Sequence, residues 1–180
     1  MLVGMPKGEY TNRKYSIEPY NSEWRVQFEM ERKLLLPIFG KSAITIEHVG
    51  STSVAGLAGK PIIDILVIVK DMAVVEKVSE RLKAMSYHSL GEYVMKGAYL
   101  FVKTVANTRL VNLHLCQVGH HHIQDMLDLR QYFRSHPKVV DEYSKLKFNL
   151  VRKYPCDYGS YRKYKDEWMG KLKRTISNSL

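Results

Sequence analysis

Long apolar runs are scarce in this chain of 180 residues. The longest, Pro61–Val69, is interrupted by Asp64 and falls well short of the ~20 residues that a membrane-spanning helix needs. The first residues, Met1–Lys7, include Gly4 and Pro6, which break up the apolar segment that a signal peptide requires. We therefore expect a soluble, cytoplasmic protein with no secretory signal and no membrane partner.

Cysteine is also scarce, and the two cysteines, Cys116 and Cys156, do not form a C-x-x-C pair. The sequence therefore shows neither a zinc knuckle nor a thiol redox motif, and we expect both thiols to be reduced. A G-x-S-x-G motif is missing, so nothing in the sequence supports a serine hydrolase. The H-E-x-x-H spacing of zinc peptidases is missing as well.

Positive charge is abundant, since 28 Lys and Arg residues outnumber 18 Asp and Glu residues and give a net charge of +10. This excess favours an anionic partner such as a nucleotide, a phosphorylated metabolite or RNA. The tyrosines Tyr158, Tyr161 and Tyr164 alternate with basic residues and would suit stacking on RNA bases. A packed and solvated helix is the alternative explanation for this segment.

The hydrophobic content, 45% of the residues, is enough for the core of one domain. Residues 1–15 are polar and interrupted by glycine and proline, which predicts a flexible lead-in. We predict a single domain over residues 16–176. Its sheet part covers about 16–118, and its helical part covers about 121–176.

Periodicity predicts the first elements of this domain. A helix begins after Asn21 or Ser22, which are favourable N-cap residues, and ends at Pro37 and Gly40. Polar and apolar residues then alternate over Ala43–Val49. This alternation is the period of a half-buried strand.

The later elements are predicted in the same way. Pro61–Val69 is apolar on both faces, as expected of a central strand covered by helices, and Asp71 caps the next helix. Tyr93–Thr104 resembles a hairpin, Leu110–Val118 another strand, and three helices follow. The fold class is therefore α/β (α+β), with a β-sheet of at least four strands, flanking helices and a C-terminal helical cap.

A glycine and three hydroxyls follow the first predicted strand, as Gly50, Ser51, Thr52 and Ser53. Glycine lets a backbone approach closely, and N–H and hydroxyl groups donate to phosphate oxygens, so this turn suits phosphate binding. The alternative is a tight connection with a hydroxyl as helix cap. Lys60 either contacts the same phosphate or is an exposed loop lysine, and the residues around it do not match a P-loop.

Two polar residues interrupt the predicted strands. Asp64 lies in an apolar strand, where a carboxylate needs a metal ion, a cation or hydrogen-bond donors, or else lies at the strand's C-terminal end and accepts from loop amides. His114 shares a strand face with Asn112 and is a candidate general base or phosphate contact, or a satisfied neutral imidazole. The run His120, His121 and His122 fits a helix start or loop better than a zinc site.

Several segments together resemble the signature of the GrpB family, over residues 16–172. The matching segments are Ile46–Val54, Lys60–Ile65, Asn112–Leu115, Leu129–Pro137, Glu142–Tyr143 and Lys145–Lys147. This family is assigned to the nucleotidyltransferase fold. The resemblance therefore implies a nucleotidyltransferase-like mixed sheet.

The resemblance also implies roles for individual residues. By analogy with the fold, Gly50 and Ser51 hold a triphosphate and Asp64 is a ligand of Mg²⁺. Members of the fold usually have a second acid two residues later, where this chain has Leu66. The strand Leu110–Val118, which would supply a third acid, contains none.

Glu47 is the candidate replacement acid, although Glu47 and His48 point to opposite faces of a regular strand, so at most one of them faces the site.

Three functions remain open. The first is a metal-dependent transferase that passes a nucleotidyl or related phosphoryl group to a small acceptor, with Asp64, Glu47 and His114 as catalytic residues. The second is a catalytically degenerate module that binds a nucleotide or phosphometabolite, and the third is an RNA-binding protein.

Overall fold

The computed structural model describes residues 15–177 of the chain, with side chains for 15–176. The predicted lead-in at residues 1–14 lies outside this described range. Tyr15, which the prediction placed in the lead-in, is part of the packed structure. Its hydroxyl donates to the carbonyl of Tyr154 at 2.5 Å, and its ring packs on the rings of Tyr158 and Tyr161.

Within residues 15–177, five strands form one mixed sheet in the spatial order β1-β2-β5-β4-β3. The strands are β1 (Ala43–Val49), β2 (Ile63–Val69), β3 (Tyr87–Ser89), β4 (Ala98–Val105) and β5 (Thr108–Gln117). Strands β2 and β5 run parallel, and the other neighbouring pairs run antiparallel. The predicted mixed sheet of at least four strands is therefore confirmed.

Five α-helices pack on this sheet and extend beyond it. They are α1 (Glu23–Phe39), α2 (Val74–Ala84), α3 (His121–Ser135), α4 (Pro137–Lys153) and α5 (Tyr158–Ser177). Helices α1 and α2 share the larger apolar core with one face of the sheet, and α3 packs on the other face. Helices α3, α4 and α5 share a further core, which is the predicted C-terminal helical cap. No helix in the described part of the chain is long and apolar enough to span a membrane.

Strand β2 is covered on both faces, as predicted. Its residues Ile65 and Val67 are fully buried in the core under α1 and α2, whereas Leu66 and Ile68 are buried towards α3. Because side chains alternate along a strand, Asp64 points to the α3 face with Leu66. This alternation determines which residues can meet the carboxyl group.

The start of α1 agrees with the sequence, and its end agrees at Gly40 but not at Pro37. The side chain of Asn21 accepts a hydrogen bond from the backbone N–H of Glu23 at 2.9 Å, as a capping residue does. Of the two residues predicted to stop the helix, Pro37 lies inside it, so that part of the prediction was wrong. The helix ends at Gly40, as also predicted, because its φ of 51° interrupts the helical backbone.

The predicted hairpin Tyr93–Thr104 is observed only as a tight turn at Gly97, where a single bridge joins Met95 to Ala98. The longer hairpin lies later in the chain. Strand β4 is continuous over most of the predicted hairpin Tyr93–Thr104, and it pairs with β5 across a turn at Ala106 and Asn107. Both turn residues have positive φ, at 47° and 60°. A turn of this kind usually carries Asn-Gly or Asp-Gly, so the sequence lacked the expected signal.

Candidate functional site

Asp64 is the second residue of β2, at the N-terminal end of the strand rather than at the C-terminal end. Because β1 runs antiparallel to β2, Val49 pairs with Asp64, and the following Gly50 lies against the carboxyl group. On the other side, the parallel strand β5 places Asn112 beside Asp64. The sheet topology therefore brings the glycine turn, the carboxyl group and the polar residues of β5 together.

Gly50 is the residue that permits this contact. Its backbone has φ 70° and ψ −170°, a region that is populated almost only by glycine. A Cβ atom at this position would lie 2.3 Å from Oδ2 of Asp64, which is inside van der Waals contact. The short helix Ser51–Ser53 begins directly after it.

The carboxyl group of Asp64 is held by a hydrogen bond from a side chain. Nδ2 of Asn112 donates to Oδ1 of Asp64 at 2.6 Å, and Nε of Arg109 donates to Oδ1 of Asn112 at 2.5 Å. Burial raises the pKa of Asp64, although the bond from Asn112 and the charges of Lys60 and Arg109 oppose this effect. The side chain keeps 25% exposure, so it remains accessible to a ligand.

His114 lies next to this carboxyl group, with Nε2 4.0 Å from Oδ1 of Asp64. Burial, assisted by the charge of Arg109, lowers the pKa of His114 to about 4, so the imidazole is neutral at neutral pH. The ring of His122 lies 5.6 Å away, and burial also lowers the pKa of His122 to about 4. The site therefore has two neutral imidazoles rather than an ion pair.

The histidine run begins α3, as the sequence suggested. Nδ1 of His120 accepts from the backbone N–H of His122 at 3.2 Å, which caps the helix. The ring of His121 stacks on that of His120 at 4.7 Å. The side chain of His122 is buried, so the three rings do not converge on one point.

Glu47 lies on the α3 face of β1, and His48 faces α1, so the expected opposition of these two side chains is observed. The carboxylate of Glu47 contacts Nη1 of Arg130 at 3.0 Å and accepts from the hydroxyl of Thr45 at 2.8 Å. Burial alone would raise the pKa of Glu47, but these two hydrogen bonds outweigh it and lower the pKa. Glu47 is therefore engaged in a structural ion pair.

We expect Arg130→Met to destabilise the protein by about 2 kcal/mol, because it leaves a half-buried carboxylate at Glu47 without its cation. The same guanidinium also donates to the carbonyl of His48 at 2.7 Å, so a second bond between α3 and β1 is lost. Urea unfolding measures the change. Arg152→Met is the control, since Arg152 is exposed and its hydrogen bonds lie within α4. Equal losses in the two variants would contradict this role of Arg130.

The predicted phosphate-binding hydroxyls divide into two groups. The hydroxyl of Thr52 is buried 2.9 Å from Nε2 of His48, and the hydroxyl of Ser53 donates to the carbonyl of Gly50 at 2.7 Å. These two groups stabilise the turn from inside. The hydroxyl of Ser51 instead accepts from Nζ of Lys147 at 3.1 Å, so it lies beside a positive charge.

Lys147 projects from α4 to this turn and is only 2% exposed. Its ammonium group also donates to the carbonyl of Ala58 and lies 4.2 Å from the ring centroid of Tyr143. Burial lowers the pKa of Lys147 to about 7, and the positive charges of Lys165 and Lys60 act in the same direction. The site therefore contains a lysine that is shielded from solvent and held in position.

Lys60, Lys147 and Lys165 together form what we call the lysine cluster. The positive charges of Lys60 and Lys165 lower the pKa of both Lys147 and Asp64, and Nζ of Lys165 also pairs with Oδ1 of Asp166 at 2.5 Å. Nζ of Lys60 donates to the hydroxyl of Tyr158 at 2.7 Å. The sequence predicted a role for Lys60 but not for Lys147. The signal was present, because Tyr143 and Leu150, four residues before and three after Lys147, place it on the buried face of α4.

The residues around the turn do not fit a two-ion magnesium site. No group of three or more His, Cys, Asp or Glu within residues 15–177 could hold a metal ion. Leu66 is fully buried where the fold usually carries a second acid, and Asn112 and His114 face Asp64 from β5. Mg²⁺ needs several oxygen ligands in near-octahedral geometry, which one carboxylate does not provide.

Comparison with known sequences identifies relatives over nearly the whole chain. The family model described as GrpB protein matches residues 14–175. The UPF0157 protein YqkA of Bacillus subtilis is 37% identical over 160 residues, which are 89% of this chain and 46% of that protein. The Glutamate-rich protein GrpB of Alkalihalophilus pseudofirmus is 33% identical over 175 residues, 95% of this chain and 98% of that one. The chain thus spans about half the length of the Bacillus subtilis relative.

Comparison with solved structures supports the fold. The crystal structure of conserved protein GrpB from Enterococcus faecalis matches with a TM-score of 0.86 and 30% identity, over 91% of this chain and 98% of that one. A structure of Cid1 poly(U) polymerase with Mg 3′-dATP bound matches with a TM-score of 0.53 and 15% identity, over 76% and 43% of the two chains. At that identity the second likeness concerns the fold alone, and it confirms the nucleotidyltransferase-like architecture.

Proposed function

The chain belongs to the GrpB family, and from this premise we propose that it binds a nucleotide or a phosphorylated metabolite, with the phosphate groups at Gly50 and Ser51. The observation that carries the proposal is the burial of the Lys147 amine against the Ser51 hydroxyl, with the other two lysines alongside. Burying an ammonium group is costly unless an anion pairs with it. A phosphate at the turn would supply that anion.

The groups beyond the turn suit the rest of such a ligand. Arg109, Asn112 and His114 follow one another along β5 on the side of Asp64, and they offer a guanidinium, an amide and a neutral imidazole. These are donors and acceptors for the sugar, base or acceptor part of a phosphorylated molecule. The two ends of the site therefore differ in charge and in hydrogen-bonding character.

Transfer of a nucleotidyl group to a small acceptor is the second candidate function. It is favoured by the raised pKa of Asp64, since a partly buried carboxylate beside a phosphate turn suits a general base for an acceptor hydroxyl. Binding ranks first, because Leu66 stands where this fold usually carries a second acid, and β5 contains no acid that could serve as a third. The Mg²⁺ cofactor, RNA binding and a cytoplasmic location stay predictions.

Isothermal calorimetry with a panel of nucleoside phosphates and phosphorylated metabolites tests the binding proposal. We expect Lys147→Met to weaken binding of the best ligand by about tenfold or more, because it removes a desolvated charge at the phosphate position. Lys145→Met is the matched control, since Lys145 lies on the same helix, is exposed, and pairs with Asp141. Binding of no ligand by the wild type, or equal loss in both variants, would refute the proposal.

A further inference from the structure

We infer that the ligand phosphates are held at Gly50 and Ser51 without a divalent cation, with the lysine cluster in the place of metal ions. The ligand class is then the free polyphosphate or phosphomonoester anion rather than its magnesium complex. This inference rests on the proposed function, because it presupposes that phosphate binds at the turn. It adds how the negative charge of the ligand is neutralised.

The first argument is the set of donors available to a cation. In Asp64, Oδ1 already accepts from Asn112, and Oδ2 lies under the backbone of Gly50. Leu66 would place methyl groups where a second carboxylate would bind, since it is buried with Ile68 and Cys116 in an apolar cluster. The acid of β1 on this face, Glu47, is neutralised by a guanidinium. A divalent cation would therefore find few oxygen ligands here.

The second argument is the charge that surrounds the turn. Lys60 in the loop before β2, Lys147 on α4 and Lys165 on α5 bring positive charge to the turn. Asp166 neutralises Lys165 at 2.5 Å, which leaves the charges of Lys60 and Lys147 opposite the carboxyl group of Asp64. A site that binds a metal ion normally has the opposite balance, with several carboxylates around the cation. An excess of positive charge repels a divalent cation and attracts the phosphate itself.

The third argument is the preorganisation of the lysines. The amine of Lys147 is fixed by the hydroxyl of Ser51, the carbonyl of Ala58 and the ring of Tyr143. The amine of Lys60 is fixed by the hydroxyl of Tyr158. Donors that are held in place before the ligand arrives lose little conformational entropy on binding, and they act in a region from which water is excluded.

The two modes of binding predict opposite effects of one substitution. In a magnesium site, Asp64→Asn removes a metal ligand and therefore weakens phosphate binding. In an ammonium site, the same change removes a negative charge that repels the phosphate, so binding becomes tighter by about threefold to tenfold. The substituted amide would keep an acceptor oxygen for the side chain of Asn112, so the local hydrogen bond survives.

The experiment is calorimetric titration of the full chain with inorganic pyrophosphate and with a nucleoside triphosphate, each in EDTA and in excess Mg²⁺. We expect both probes to bind in EDTA, with Mg²⁺ leaving the affinity unchanged or lowering it through complexation of the probe. We expect tighter binding by Asp64→Asn, and circular dichroism checks that this variant is folded.

Binding that requires Mg²⁺, or that is lost in a folded Asp64→Asn variant, would overturn the inference and leave the proposed function standing. Failure of both probes and of the wider ligand panel, with and without Mg²⁺, would overturn the proposed function as well. The comparison of EDTA and Mg²⁺ on the wild-type protein decides the question even if the variant does not fold.

Discussion

Replacing Gly50 with alanine should destabilise the protein by about 3 to 5 kcal/mol and abolish phosphate binding. The backbone at φ 70° and ψ −170° costs a non-glycine residue about 1 to 3 kcal/mol. The new Cβ would also lie 2.3 Å from Oδ2 and 2.9 Å from Cβ of Asp64. The second of these atoms is next to the backbone of a central strand, so rotation of the side chain cannot relieve the clash.

Urea unfolding followed by fluorescence of the two tryptophans measures this effect. Gly40→Ala is the matched control, because Gly40 also has a positive φ, at 51°, but has nothing within 4 Å of its ideal Cβ. We expect the control to lose about 1 to 2 kcal/mol from backbone strain alone. If the two variants lost the same free energy of unfolding, the close approach between Gly50 and Asp64 would contribute nothing to the loss.

The sequence revealed Asp64 but not its surroundings. A single carboxylate in a β-branched run is conspicuous, because burial of an unpaired charge is costly, and the same run identified the central strand. The sequence did not contain the order or direction of the strands. The antiparallel pairing of β1 with β2 puts the turn at the N-terminal end of β2, whereas a parallel arrangement would have separated Gly50 from Asp64.

Lys147 and Arg130 were overlooked for a different reason. A lysine or arginine on a helix usually marks a solvated face, and composition alone supports that interpretation. Both side chains reach back from the helical part to the turn and to β1, and such contacts over more than eighty residues depend on how the helices pack. Periodicity did place Lys147 on the apolar side of α4, which was the available signal.

The hairpin shows the limit of turn rules. Gly97, with φ 79°, does lie in the turn that the sequence suggested, but the longer hairpin of β4 and β5 turns at Ala106 and Asn107, where two non-glycine residues adopt positive φ. The pairing of β4 with β5 on one side and β3 on the other outweighs the local preference of these two residues. The position of the hairpin of β4 and β5 is therefore set by strand pairing, and the local sequence does not predict it.

Lys147→Met should raise stability at neutral pH and remove a pH dependence that the wild type carries. In the folded state the pKa of Lys147 is lowered to about 7, by burial and by Lys165 and Lys60, whereas an unfolded lysine has a pKa of about 10.4. Between these values the unfolded chain binds more protons, so this lysine makes stability rise with pH. Below pH 7 both states are protonated and its cost is constant.

The expected size follows from the two pKa values. Between pH 7 and pH 9, wild type should gain about 2 kcal/mol of unfolding free energy relative to Lys147→Met, since about half of the effect of the pKa shift falls in this window. At pH 7 the methionine variant should be the more stable protein by about 1 to 2 kcal/mol, because the burial of a charge costs more than the bond to the carbonyl of Ala58 returns.

Urea unfolding at several pH values measures both effects, with Lys145→Met as the exposed control on the same helix. Stability curves of wild type and Lys147→Met that run parallel from pH 7 to pH 9 would contradict the lowered pKa. A variant that is more stable and binds phosphate more weakly would separate the structural from the functional role of this lysine. Together these two results would explain why a destabilising charge is kept at the turn, namely through its proposed contact with the ligand phosphate.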